Sequence, residues 1–119
     1  MTLTRATLGT LTKRKTIDVD ICGHSVRLQK PSPLDYSQYV TGMSNSKGEP
    51  DLRLFPESIL LLTSRMWIDD EGKRVFNDSE TKELANIDLE FYEKLSSECQ
   101  NYAKPGASTA LGESEKTIV

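Results

Sequence analysis

One histidine, one tryptophan and two cysteines are all that this 119-residue chain holds of the residue types that most often carry chemistry. A lone His24 leaves no multi-histidine metal site. Cys22 and His24 would supply two ligands, and a structural zinc site needs about four. Basic residues are outnumbered, 15 Lys and Arg against 18 Asp and Glu, for a net charge of -3. A nucleic-acid binder carries a basic stripe. Here the one dense cluster is Lys13-Arg14-Lys15, expected to be a solvated strand entry, so no nucleic-acid partner is expected. Long apolar runs are also missing. The longest is Ile59-Leu60-Leu61-Leu62, far short of the ~20 residues that cross a bilayer, so no membrane partner is expected. The first residues, MTLTRATLGTLTKRK, lack a continuous apolar stretch of the signal-peptide kind. The expectation is a cytoplasmic protein with both thiols reduced and Cys99 in the core.

Hydrophobic residues make up 36% of the chain and charged residues 28%, a globular composition in the size range of one domain. Ile17, Val19 and Ile21 alternate with Thr16, Asp18 and Asp20, a period of two that predicts a half-buried strand. Cys22-Gly23-His24-Ser25 supplies a turn, and Val26 and Leu28 resume the alternation. The pattern predicts a hairpin of residues 15–22 with 24–30, which must lay its apolar face on something else. Pro31-Ser32-Pro33 starts a helix, with Ser32 as N-cap and Asp35 in the first turn. It carries Leu34, Tyr36, Tyr39 and Val40 and closes at Gly42. A polar loop over 44–51 leads to a second helix from Phe55-Pro56. Ile59, Leu60, Leu62, Thr63, Met66 and Trp67 wrap most of its circumference, which marks it as the central core helix. Asp69-Asp70-Glu71-Gly72 is a turn within a small second hairpin or extended turn. Asn77 or Asp78 caps a short helix carrying Leu84. Asp88 caps the last helix, with Leu89, Tyr92, Leu95 and Cys99 expected on one face, and Lys104-Pro105-Gly106 ends it.

The fold class expected is α+β and mostly helical: an N-terminal β-hairpin packed on a small bundle of about four helices. Residues 1–14 are expected to be a flexible segment, 15–104 a single folded domain and 105–119 a disordered tail, since ASTALGESEKTIV buries too little area to offset its ordering cost.

Nothing in the pattern suggests catalysis. Asp69-Asp70-Glu71 lacks the spacing of a calcium loop. Asp18 and Asp20 fall on the exposed face of a strand, and the glycines are scattered singly. No catalytic, cofactor-binding or metal residue is assigned, and no cofactor is expected. What remains is surface. Aromatic side chains dominate binding hot spots. Trp67, Phe91 and Leu95 are expected in the core, and Tyr36, Tyr39 and Tyr102 are the candidate protein-interface residues.

The order of elements resembles the tail assembly chaperones of long-tailed bacteriophages. The likeness covers roughly residues 15–104: a strand hairpin, the helix start PSPLDY over 31–36, an apolar central helix, then W-I-x-D-E-G-K-x-x-F-x-D over Trp67–Asp78, L-x-x-I-D over Leu84–Asp88 and a Leu-bearing final helix. The resemblance implies a protein of the infected cell's cytoplasm that binds the tape measure protein, keeps it soluble and brings tail tube subunits to it, and that is absent from the finished virion. It also implies a longer form made by frameshifting, whose extension would begin after Pro105. Self-association along a long helical partner would add avidity. The alternative from the sequence is a small structural virion protein of the tail or head–tail joint. A small regulatory or enzyme domain is a third reading, which would need a ligand pocket that the composition does not advertise.

Overall fold

The computed structural model describes residues 4–5 and 14–104. The expected disordered tail, and nearly all of the expected flexible N-terminal segment, fall outside the described residues. The body is an α+β fold in which a three-stranded antiparallel sheet lies against a helical layer.

Strand β1 (Thr16–Ile21) and strand β2 (His24–Gln29) form the predicted hairpin, with Ile21 opposite His24 and Thr16 opposite Gln29. The loop is therefore the two residues Cys22 and Gly23. Their φ angles, 52° and 84°, both lie in the left-handed region. Two such residues make the type I′ turn, whose twist matches that of the strands it joins. The alternation holds on both strands: Ile21, Val26 and Leu28 are buried, with Ile17 and Val19 packed against them.

Helix α1 (Pro33–Thr41) begins at a full capping box. Ser32 Oγ accepts from Asp35 N at 3.1 Å, and the Asp35 carboxylate accepts from Ser32 N at 3.2 Å. After a 3-10 turn (Leu52–Leu54) comes helix α2 (Phe55–Met66), again with proline in its first turn. Leu62, Thr63, Ser64 and Met66 are all buried, which makes α2 the central helix that the composition of its faces required.

The sheet has one strand more than the hairpin expected from sequence. Trp67–Ile68 leaves α2 directly as strand β3 and pairs antiparallel with Arg27 and Leu28 of β2. The second hairpin or extended turn expected here is present, with Ile68 bridged antiparallel to Arg74. Two residues are too few to show a period, however, and only the fold reveals that they pair with β2. The chain then turns back at Asp69–Gly72. Asp69 Oδ1 accepts from the backbone N–H groups of Glu71 and Lys73, Gly72 takes φ 83°, and Val75 N donates to Trp67 O. These backbone donors hold the Asp69 carboxyl below its ordinary range, that of Lys73 first. The acidic run is thus an Asx-type turn.

Asn77 and Glu80 form a second capping box ahead of a 3-10 turn (Asp78–Glu80) and helix α3 (Thr81–Leu84), which buries Leu84. Asp88 then caps helix α4 (Leu89–Ala103), its carboxylate accepting from Phe91 N at 3.0 Å. One core joins the layers: Ile21, Val26 and Leu28 from the sheet, Leu62 and Met66 from α2, and Leu95, Cys99, Tyr102 and Ala103 from α4. Leu89, expected on the same face, is 69% exposed. It stands about 120° around α4 from Leu95, off the buried stripe, whereas Phe91 in the same turn meets His24 and Trp67 of the sheet. Burial pushes the Cys99 thiol up to about 12, so it behaves as a small apolar side chain.

Candidate protein-binding groove

Helix α1 is the one α-helix among the described residues with no buried residue. It leans on α2 through a close approach at Gly42. A Cβ there would stand 2.8 Å from Gln38 O of its own helix and 2.9 Å from Ser58 Oγ of α2, and that hydroxyl donates to Tyr39 O at 2.6 Å. Gly42 has φ -65°, so glycine is required by this proximity and not by backbone conformation. Toward α4 the helix stands off and leaves an open groove of about 310 Å³.

Tyr36, Tyr39, Val40 and Met43 form one wall of this groove, and Ser97, Gln100, Asn101 and Lys104 the other. Tyr36 and Tyr39, one helical turn apart, hold their ring centroids 6.0 Å from each other at 55°. Both rings are half-buried against the core. Tyr39 Oη donates to Gln100 Oε1 at 3.5 Å, a weak bridge across the groove. Desolvation first, then neighbouring Tyr36, raises the Tyr39 pKa, so it stays a neutral donor. Val40 is 42% exposed on the same wall.

Two of the three expected interface tyrosines therefore meet at one site. Tyr102 does not join them. It is 3% exposed and belongs to the core, because its position on α4 faces the sheet. Lys30 Nζ sits 4.3 Å from the centre of its ring and donates to Tyr102 O at 2.6 Å, tying the end of β2 to the end of α4. Burial lowers the Lys30 pKa, with Lys15 adding to the effect, and burial raises that of Tyr102. No hydrogen-bond partner reaches the Tyr102 hydroxyl among the described residues.

A second cleft, of about 470 Å³, lies on the other side of α1 and brings Arg14, Asp35, Arg65 and Arg74 together. Its charges are committed to one another. Arg65 donates to Asp35 at 3.3 Å, to Gln38 and to Asp78 at 3.1 Å. Arg74 donates to Asp78 at 2.8 Å and to Ser64 O at 3.2 Å, and Arg14 reaches Asp35 at 3.2 Å. Hydrogen bonds from Arg65, then from Arg74, hold the Asp78 carboxyl below its ordinary range. This network straps α1, α2 and the Asp78 turn together. The sequence does not show it, since Arg65 lies 30 positions from Asp35 and 13 from Asp78, and the members share no spacing.

The turn cysteine, Cys22, is exposed and its thiol lies 3.9 Å from Glu90 Oε2. Among the described residues no three His, Cys, Asp or Glu side chains gather into a group that could hold a metal, and no helix is long and apolar enough to cross a membrane. No protein-family model, curated protein or solved structure matches the chain.

Proposed function

We propose that the chain is a protein-binding module that holds a helical partner in the groove between α1 and α4, and that it serves as a tail assembly chaperone for a phage tape measure protein. The observation that carries the binding role is the groove itself. Two tyrosine rings, a valine and a methionine stand on one wall, and amide side chains and Lys104 stand on the other. An amphipathic helix docks in this way, its apolar side chains against the aromatic wall and its polar flank against the amides. Tyrosine and methionine suit such a role, because large rigid rings give contact area at low entropic cost and a flexible thioether adapts to the shape of its partner. The tape measure assignment rests on the order of elements and on the residues of Trp67–Asp78 and Leu84–Asp88 quoted above.

Co-expression with a tape measure protein tests both parts. The wild-type chain is expected to keep that partner soluble. Val40→Arg places a long cation on the groove wall at an already exposed position, and is expected to abolish the rescue without unfolding the protein. Equal precipitation of the partner with and without the chain would sink the assignment. Rescue that Val40→Arg leaves intact would move the binding surface elsewhere. Mass spectrometry of purified particles separates the chaperone from a virion component: the chain is expected to be missing from them.

A further inference from the structure

β1 is an end strand of the sheet, and no described residue pairs with its outer side. The ladder that joins it to β2 has a definite parity. The two-residue loop makes Ile21 and His24 a hydrogen-bonded pair, and Lys30 N donates to Lys15 O at 2.8 Å three pleat repeats further on. Lys15, Ile17, Val19 and Ile21 therefore direct their backbone groups at β2, and Thr16, Asp18 and Asp20 direct theirs outward. Such a row of unpaired donors and acceptors is a template for another strand.

The charges along this edge select which strand, and in which register. Arg14, Thr16, Asp18 and Asp20 share one face by their alternation. Asp18 is held by Arg27 at 2.9 Å. Asp20 has no ion-pair partner among the described residues, and Arg14, its side chain 36% exposed, would exchange its 3.2 Å contact with Asp35 for one with Asp20 of the second copy. An antiparallel pairing of β1 with β1 of a second copy, centred on Asp18, would set Asp18 against itself. Centring the same pairing on Ile17 sets Arg14 against Asp20 of the second copy at both ends, and Thr16 against Asp18. The half-buried Ile17 then meets its own copy on the opposite, apolar face. Cross-strand pairs of opposite charge and of apolar groups favour that register, and like charges oppose the other.

We propose that two copies of this chain associate through antiparallel β1–β1 pairing centred on Ile17, merging two three-stranded sheets into one continuous sheet. The interface is two-fold symmetric, as most homodimer contacts are. It lies apart from the groove, so each copy keeps its own groove open, and the association holds whatever the helical partner is.

Sedimentation of the full chain over a wide concentration range tests this, with circular dichroism confirming the fold of each variant. Arg14→Asp and Asp20→Arg each place like charges together at both ends, and each is expected to weaken dimerisation by about tenfold or more. The double variant Arg14→Asp/Asp20→Arg reverses both pairs and is expected to restore it. Thr16→Pro removes an outward-facing N–H and no bond of the β1–β2 ladder, so it should leave a folded monomer. A wild-type chain that stays monomeric at every concentration overturns the proposal. So does a dimer indifferent to these substitutions, or a double variant weaker than either single one.

Discussion

Cys22 sits where a hairpin most wants Asn or Gly. Its φ of 52° is the only positive value among the described non-glycine residues, and a side chain in that region costs ~1–2 kcal/mol. Asn relieves part of this cost because its short polar side chain bonds locally. Cys22→Asn is expected to raise stability by about 0.5–1 kcal/mol, read as a higher urea midpoint at unchanged slope. The turn itself was legible in the sequence, because Gly23 interrupts two alternating runs. The strain at Cys22 was not. It follows from the register, which makes the loop two residues and so forces both of them into the left-handed region. Gly42 teaches the converse. Its place at the end of α1 was evident from its type, but a Cβ there would crowd two atoms at once, Gln38 O one turn back and Ser58 Oγ, a neighbour sixteen positions away that only packing supplies.

The elements were for the most part readable because their boundaries are chemical. Ser32 with Asp35, Asn77 with Glu80, and Asp88 each satisfy orphan N–H groups at a helix start; Ser32 and Asp88 were visible as caps in the sequence, and Asn77 as one of two candidates that the structure decides. The join between elements was not visible. Arg65 and Arg74 converge on Asp78, whose carboxyl they hold below the ordinary aspartate value of 3.8. A depressed folded pKa contributes stability above the unfolded value, and that contribution disappears as pH falls through the folded one. Asp78→Asn is therefore expected to lower the melting temperature at neutral pH, and the gap between the variant and wild type should close below about pH 3.8. The loss at neutral pH should stay near 1 kcal/mol or less, since Asp78 is 54% exposed and solvent screens the pairs. A gap that persists unchanged in acid would show that the asparagine acts through packing or its turn position.

For the molecule as a whole, one core of nine buried residues draws on the hairpin, on α2 and on α4, so these elements should unfold together. Leu95→Ala opens a cavity in that core and is expected to cost about 2–5 kcal/mol. Leu89→Ala, on the same helix but 69% exposed, should stay within about 0.5 kcal/mol. Equal losses at the two positions would restore the helix face drawn from spacing alone. The contrast shows how an amphipathic pattern is read and where it misleads. Tyr92, Leu95 and Cys99 share a helical stripe, but Leu89 stands about 120° around α4 from Leu95, off that stripe and facing solvent. The groove arises from packing: α1 is anchored on α2 by Gly42 and Ser58 and by the Arg65 network, and its tyrosine wall is left facing α4 across a gap.

Local chemistry, then, was sufficient for the hairpin, the caps, the central helix and the α+β class, because alternation, capping and breaker residues act over a few positions and appear in order along the chain. Only the tertiary structure decided that Trp67–Ile68 adds a third strand, that Tyr102 is core while Tyr36 and Tyr39 line a groove, and that three arginines strap the body together. Those outcomes depend on contacts between residues distant in sequence, whose distances and exposures no local period records.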